Sequence, residues 1–233
     1  MVGGTACIGK SSLATQLAER LNLSTVLKTG IINELVHDIL QDDPTQAVPS
    51  SVKSSRFSCE ADLIEAYKKE CLLVKRGLDV EFKKCFQEGK SIIVEGMHMN
   101  PEIYSSVALE SRLSTQEGLK DSEEAAPHLT GDELPKTTTV KSIVVAFLLT
   151  LDDEKLHRDF VTNWVRGTNP GPSEAEFVER SLSNFRKIQD LLVKNRGEFT
   201  IFPLNVQSEA ETLEHMHSMV LQYMQAIYDR SAT

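Results

Sequence analysis

The sequence predicts an α/β fold in which helices flank a parallel β-sheet and a helical lid lies over one edge. A glycine-rich motif at residues 4–11, containing a lysine and a serine, is followed directly by an amphipathic helix. The apolar runs 92–94 and 143–149 are typical of strands that are buried on both faces of a sheet. Two cation-rich helical segments, joined by the Gly- and Pro-containing stretch 167–172, have the layout of a mobile lid.

The motif follows the G-x-x-x-x-G-K-S pattern of a phosphate-binding loop. In such a loop the backbone N–H groups, the positive end of the next helix and one ammonium converge on an anion. Lys10 is therefore expected to reach the β- and γ-phosphates of ATP, and the Ser11 hydroxyl to bind Mg²⁺. A turn before an ordinary helix is the alternative. The predicted nucleotide-binding residues are Gly4, Thr5, Ala6, Cys7, Ile8, Gly9, Lys10, Ser11 and Ser12.

A P-loop NTPase-like sheet also needs a strand that leads into this loop, and the sequence offers little for it. Only Met1, Val2 and Gly3 precede the motif. This strand is central in the fold, so its loss would leave unpaired N–H and C=O groups on its neighbours. We therefore expect the first strand to be missing and the chain to be an N-terminally shortened member of its family.

Further elements follow along the chain. Residues 24–29 are rich in β-branched side chains and predict the second strand, and the apolar residues of 31–39 recur with helical spacing. The polar stretch 41–55 indicates a loop near the mouth of the site. A long helix is predicted from residue 58 to a cap at Gly89.

The second half of the chain predicts an insertion, the lid and the end of the fold. Residues 111–139 form a flexible acidic insertion in a single domain of 1–233, and residues 152–196 form the helical lid. Residues 199–203 predict a strand, and a capping box begins the last helix at Ser208. Its predicted inner face contains Leu213, Met216, Val220, Tyr223, Met224 and Ile227.

Glu95 follows an apolar strand and is therefore expected at the carboxyl edge of the sheet, where α/β proteins bind ligands. A carboxylate there can bind Mg²⁺ with Ser11 or orient a nucleophile; a solvated acid at a strand end is the alternative. His98 can contact an acceptor phosphate, or it can simply bridge loop backbone groups. Cys7 lies near a helix N-terminus that can lower its thiol pKa, or it is only a small residue that fits.

Composition limits the class of partner. The net charge of -9 and the pI near 5.2 disfavour nucleic acid as a partner. No apolar run approaches the roughly 20 residues that span a bilayer, so we expect no membrane association and a soluble, cytoplasmic protein. Four cysteines without a C-x-x-C pair are expected to be reduced thiols. Protein partners are not predicted.

Several segments together resemble the 2-phosphoglycerate kinase family of P-loop proteins, which includes eukaryotic relatives linked to phytic acid metabolism. The resemblance covers most of the chain, and its most distinctive element is Glu-Gly-x-His after an apolar strand. The segments that carry it are Gly3–Ser12, Ile92–His98 with Pro101, Phe147–Leu149, the acidic run that leads to His157–Arg158, and Asn184–Asp190.

The resemblance implies phosphoryl transfer from ATP, with Mg²⁺, to a small phosphorylated acid or polyol. By analogy Lys10 acts on the nucleotide, Glu95 and His98 lie at the acceptor site, and Arg186 and Arg158 serve the lid as catalytic cations. Solvated charges on a helix face are the alternative for both arginines.

The chain also departs from the family pattern. An Asp and, three residues on, an Arg usually follow the second strand, and these places are occupied by Gly30 and Asn33. An anionic acceptor loses a guanidinium there, so 2-phosphoglycerate itself is in question. A regulatory protein that binds nucleotide without catalysis is therefore the competing function. A polynucleotide or nucleoside kinase is a third, and it fits poorly with the acidic charge.

Overall fold

A computed structural model describes residues 1–41, 52–53, 55–105, 143–168, 173–205 and 208–231. Its strands are β1 (Val2–Gly3), β2 (Val26–Lys28), β3 (Ile93–Gly96), β4 (Phe147–Thr150) and β5 (Thr200–Pro203). The helices that we label are α1 (Lys10–Arg20), α2 (Thr29–Gln41), α3 (Glu60–Glu88), α4 (Glu154–Gly167), α5 (Glu174–Lys194) and α6 (Glu209–Ser231). All strand pairs are parallel, in the order β2-β3-β1-β4-β5. The predicted α/β class is confirmed.

The first strand is present, which corrects the expectation that it is missing. Val2 lies between Glu95 of β3 and Phe147 of β4, so the short strand β1 occupies the centre of the sheet. The Met1 nitrogen donates to the Val145 carbonyl oxygen at 2.6 Å, and the Phe147 N–H donates to the Met1 carbonyl oxygen at 2.9 Å. The main-chain groups of Met1 thus also bond to Val145 and Phe147, which extends the pairing beyond the two residues of β1.

Strand β4 is shorter than the apolar run that predicts it. The run begins at Ile143, whereas the strand begins at Phe147, and the Ile143 side chain is 39% exposed. The residue pairing between β1 and β4 begins at Phe147, and before it the carbonyl oxygens of Val145 and Ala146 accept from Met1 and Thr200. Hydrophobicity alone therefore overestimates the strand.

The sheet is buried on both faces. Side chains that alternate along β3 and β4 enter two different clusters, as the period of two in a strand requires. Ile93 and Phe147 pack with helices α1 and α6, whereas Val94 and Leu148 pack with helices α3 and α5. The layers are thus helix, sheet and helix, and the carboxyl ends of the strands are left for a site.

Helix α3 ends at Gly89, whose φ of 65° is the left-handed conformation predicted for its cap. The capping box of helix α6 is also present, because the Glu211 N–H donates to the Ser208 hydroxyl oxygen at 3.3 Å. The prediction of the inner face of helix α6 is wrong in part, since Tyr223 and Met224 are 37% and 50% exposed. Helix α6 runs beside helix α1 and is longer. Arg20, the last residue of α1, contacts Glu214, so the later residues of α6 extend beyond α1 and are not covered by it.

The region predicted as a lid contains the expected pair of helices, α4 and α5. Helix α5 is not a separate layer, because Ile188 and Leu192 lie in the core beside helix α3. The predicted acidic insertion 111–139 lies outside the described residues. The side chain of Ile227 is also not described. No helix within the described ranges combines the length and hydrophobicity needed to span a membrane.

Candidate active site

A cleft of about 520 Å³ lies where the predicted phosphate-binding loop meets the carboxyl ends of β2 and β3. Residues 6–12 form one wall, and Glu95 and Gly96 lie at the end of β3. The other charged and aromatic residues of the lining are Lys28, Glu34, Lys53, Phe160 and Trp164. The predicted site residues Lys10, Ser11 and Glu95 are therefore brought together in one cavity.

The loop has the backbone conformation that the glycine motif predicts. Gly9 has a φ of 85° and is the N-cap of helix α1, so it offers no side chain to the first N–H groups of that helix. Gly4 has a φ of 140°, and Cys7 has a left-handed φ of 56° that is uncommon for a side chain with a Cβ. This arrangement leaves the positive end of helix α1 at the cleft, where an anion can bind.

Two contacts from distant elements hold the loop in place. The Thr5 hydroxyl donates to the Phe185 carbonyl oxygen of α5 at 2.7 Å. The His157 Nε2 lies 2.9 Å from the Ala6 carbonyl oxygen. Because a carbonyl only accepts, Nε2 carries the proton, and burial lowers the pKa of His157. Neutral His157 thus fixes the loop from helix α4.

Lys10 is buried and its ammonium donates to the Thr5 carbonyl oxygen across the loop. Burial lowers the pKa of Lys10 to about 8, and the nearby Glu95 carboxylate opposes this effect. The ammonium is consequently charged at neutral pH in a poorly solvated place. An anion in the loop would supply the counter-charge that this lysine lacks.

A hydrogen bond between Ser11 and Glu95 joins the start of helix α1 to the end of strand β3. The Ser11 hydroxyl donates to Glu95 Oε1 at 2.7 Å, and the Glu95 side chain is only 3% exposed. A hydroxyl and a carboxylate are hard oxygen ligands of the kind that Mg²⁺ prefers. Within the described ranges no group of three or more His, Cys, Asp or Glu side chains is placed to hold a metal. The pair therefore fits Mg²⁺ that also has phosphate and water ligands.

His98 is fully buried and lies outside the lining of the cleft. Its Nδ1 is 3.1 Å from the Thr29 hydroxyl, and its Nε2 is 3.3 Å from Glu70 Oε2. Burial lowers the pKa of His98 while the Glu70 carboxylate opposes the shift. The imidazole joins the start of helix α2 to helix α3. His98 therefore has a bridging position, as in the structural alternative, but it bridges two side chains and not loop backbone groups.

The two predicted lid arginines contact protein groups. Arg158 pairs with Glu154 on its own helix and with Glu179 on helix α5. The Arg186 guanidinium donates to the carbonyl oxygens of Leu151 and Asp152 after strand β4. Both therefore hold α4, α5 and the strand end together in this structure, and their catalytic roles stay predictions.

The departures at Gly30 and Asn33 remove the acid and the arginine of the family pattern. A Cβ at Gly30, which lines the cleft, would meet no atom within 4 Å. Asn33 is buried, and its Oδ1 has no hydrogen-bond partner among the described residues. The cleft therefore has open space where the family pattern has a side chain.

Comparison with curated proteins finds relatives that are named 2-phosphoglycerate kinase. A 2-phosphoglycerate kinase from Methanopyrus kandleri is 23% identical over 94% of this chain and 59% of its own length. One from Methanococcus vannielii is 26% identical over 92% of this chain and 61% of its own length. The chain is similar to the 2-phosphoglycerate kinases. The predicted resemblance is thereby confirmed.

Another 2-phosphoglycerate kinase, from Methanocaldococcus jannaschii, is 25% identical over 48% of this chain. The chain spans 37% to 61% of the length of these three relatives, so their complete activity is not transferred to it as a finding. No family model matches the chain.

In this 2-phosphoglycerate kinase-like chain, sequence reasoning missed the role of His157. The resemblance includes His157 and Arg158, yet the prediction used only the arginine. Helical spacing is the signal that could have identified His157. His157, Val161 and Val165 recur every four residues on one face of the helix, and all three are fully buried. Lys53 was also missed, since an isolated lysine in a polar loop has no distinguishing pattern.

Of the two alternatives for Cys7, a lowered thiol pKa is not found. Burial raises the pKa of the Cys7 thiol to about 11, and this exceeds the opposing effects of the Lys10 and Lys53 ammonium groups. The thiol therefore fits the alternative of a small residue within the loop. All four cysteines are free, as predicted.

The pKa of Lys10 predicts how nucleotide binding depends on pH. The ammonium attracts phosphate only while protonated, so binding should weaken as the pH rises above about 8. Linkage limits the loss in affinity to about tenfold per pH unit. Trp164, the one tryptophan in the sequence, lines the cleft and provides a fluorescence signal for titration with ADP without Mg²⁺.

The matched control for this pH series is Lys10→Arg, whose guanidinium stays charged over the whole range. We expect its weaker binding to lose most of the pH dependence. An ADP affinity of the unaltered protein that is constant from about pH 7 to about pH 9.5 contradicts the prediction.

Proposed function

We propose that this chain is an ATP-dependent kinase that transfers a phosphoryl group to a small phosphorylated acceptor. The observation that carries the proposal is the contact between Ser11 and Glu95 beside the buried Lys10, at the open N-terminus of helix α1. The names of the relatives support 2-phosphoglycerate as the acceptor, and a phosphorylated polyol is the alternative acceptor of the proposal.

Each of these residues has a distinct task in the proposal. The backbone N–H groups of residues 9–12 and the Lys10 ammonium bind the β- and γ-phosphates. Ser11 and Glu95 hold Mg²⁺, which when bound neutralises charge that develops on the phosphate oxygens. Glu95 also orients the acceptor hydroxyl and accepts its proton, while the hydroxyl oxygen bonds to the γ-phosphorus and the bond from that phosphorus to the ADP oxygen breaks.

A regulatory protein that binds nucleotide without catalysis is the second candidate. It is favoured by Gly30 and Asn33, which remove two acceptor contacts expected from the family pattern. The two candidates differ in one measurement, because only the kinase forms ADP in a reaction that depends on the acceptor. ADP formation with ATP, Mg²⁺ and 2-phosphoglycerate tests the first candidate, and nucleotide binding without turnover for any phosphorylated acceptor supports the second.

Glu95→Gln is expected to separate binding from catalysis. The amide oxygen can still accept from Ser11, but its neutral charge binds Mg²⁺ weakly and accepts no proton. We expect turnover to fall by about 10²- to 10⁴-fold, whereas ADP binding without Mg²⁺ stays close to that of the unaltered protein. Coupled ADP detection and Trp164 fluorescence measure the two quantities.

Glu102→Gln is the matched control, because Glu102 is an exposed carboxylate that pairs with Lys68 outside the cleft. Its turnover should equal that of the unaltered protein. Full turnover by Glu95→Gln would refute the role assigned to this carboxylate.

A further inference from the structure

A two-residue turn at the edge of the cleft is held by an unusual number of side chains. The Val52 N–H donates to Glu70 Oε1 at 3.0 Å, and the Val52 carbonyl oxygen accepts from Asn184 Nδ2 at 3.0 Å. The Lys53 carbonyl oxygen accepts from the Ser181 hydroxyl at 2.8 Å. Helices α3 and α5 thus bind the backbone of the same short turn from two sides.

These contacts are made by polar groups that the fold has removed from water. Glu70 and Ser181 are 1% and 0% exposed, and Asn184 is 7% exposed. The second oxygen of Glu70 is 3.3 Å from His98 Nε2, and His98 in turn contacts Thr29. A buried polar group is costly unless its partner is well placed, so the turn has a defined position.

The position of the turn brings one side chain into the site. Lys53 is half-buried and lines the cleft together with Lys10 and Glu95. Its charge lies close enough to contribute to lowering the pKa values of Cys7, Lys10 and His98. Among the described residues no carboxylate lies within 4.0 Å of its ammonium, which therefore has no ion-pair partner in that part of the chain.

We propose that Lys53 binds the anionic group of the acceptor, as a phosphate or carboxylate, opposite the nucleotide held by Lys10. This inference rests on the proposed function and deepens it. Lys53 supplies a cation to a cleft in which the arginine of the family pattern is replaced by the buried Asn33, which does not line it. Glu70, His98 and Asn184 are positioning residues, since they hold the turn and do not line the cleft.

Steady-state kinetics of Lys53→Ala with 2-phosphoglycerate and ATP test the inference. A charge-assisted contact to an anion is worth about 10- to 150-fold in affinity, so we expect the KM for 2-phosphoglycerate to rise by that factor. The ADP dissociation constant from Trp164 fluorescence should change by less than about threefold, because Lys10 remains. Lys53→Arg should recover most of the acceptor affinity.

Arg56→Ala is the matched control, because Arg56 is an exposed cation on the same segment that pairs with Glu176 and does not line the cleft. It should leave both constants unchanged. An unchanged KM in Lys53→Ala, with turnover intact, overturns the assignment of Lys53 while the proposed function stands.

The absence of turnover in the unaltered protein would show that the proposed function fails, independently of Lys53. If the unaltered protein binds ADP but gives no turnover, calorimetry of 2-phosphoglycerate binding to the ADP complex decides the role of Lys53. Binding that is lost in Lys53→Ala supports Lys53 as the anion site of a non-catalytic protein. Binding that Lys53→Ala retains, or no binding by the unaltered protein, overturns the inference.

Discussion

Lys10→Ala is expected to abolish detectable nucleotide binding and to lower kcat/KM by at least about 10²- to 10³-fold. The loop loses its one ammonium, and the cation removed is 7% exposed, so solvent does not replace it readily. The remaining N–H groups of the loop and helix α1 cannot supply a full charge. Trp164 fluorescence with ADP and a coupled ATPase assay measure the two losses.

The same substitution should not unfold the protein. The folded-state pKa of Lys10 is about 8, below its ordinary value of 10.5, so burial of its charge opposes folding at pH 7. That shift corresponds to roughly 3 kcal/mol, which the alanine variant recovers while it loses the packing of the aliphatic chain. We therefore expect an equal or higher free energy of unfolding in urea.

Lys90→Ala is the control for lost charge. Lys90 is exposed and pairs with Glu88 at the surface, away from the loop. Its nucleotide affinity should equal that of the unaltered protein. If Lys10→Ala is stable and binds ADP with unchanged affinity, the loop does not act as a phosphate site.

Gly4→Ala is expected to cause a large loss of stability. A Cβ at residue 4 would lie 2.5 Å from the Leu149 carbonyl oxygen, and the φ of 140° is one that side chains rarely adopt. The contacted atom is backbone in strand β4 and cannot rotate away. Backbone strain and overpacking of about 1 to 3 kcal/mol each predict a fall of about 2 to 6 kcal/mol in the free energy of unfolding.

Urea denaturation followed by circular dichroism measures this change. Gly30→Ala is the control, because a Cβ there meets no atom within 4 Å and residue 30 lies in helix α2. Its stability should be within about 1 kcal/mol of the unaltered protein. A Gly4→Ala variant as stable as Gly30→Ala would show that the loop and β4 can separate at little cost.

Local patterns identify the parts of the site that depend on neighbouring residues in the chain. The loop of residues 4–11 needs glycine conformations and a following helix, and both are visible as sequence. Glu95 ends an apolar run, so its position at the edge of the sheet follows from strand geometry. These features could be predicted because their geometry is set within about ten residues.

Other parts depend on contacts between distant segments. Whether His157 or Arg158 contacts the loop depends on how helix α4 rotates against α5. The fixed position of Lys53 depends on Glu70 and Asn184, which belong to two different helices. Strand β1 was missed because two residues carry no periodic signal, and its central place becomes visible only in its pairing with β3 and β4.

The sequence by itself determined the α/β class, the glycine-rich loop with Lys10 and Ser11, and the acid at Glu95. It did so because period and motif report local backbone conformation. Only the tertiary structure decided that His98 is buried behind the cleft and that Lys53 enters it. These outcomes depend on burial and on hydrogen bonds between residues far apart in the chain, and no local pattern encodes such pairings.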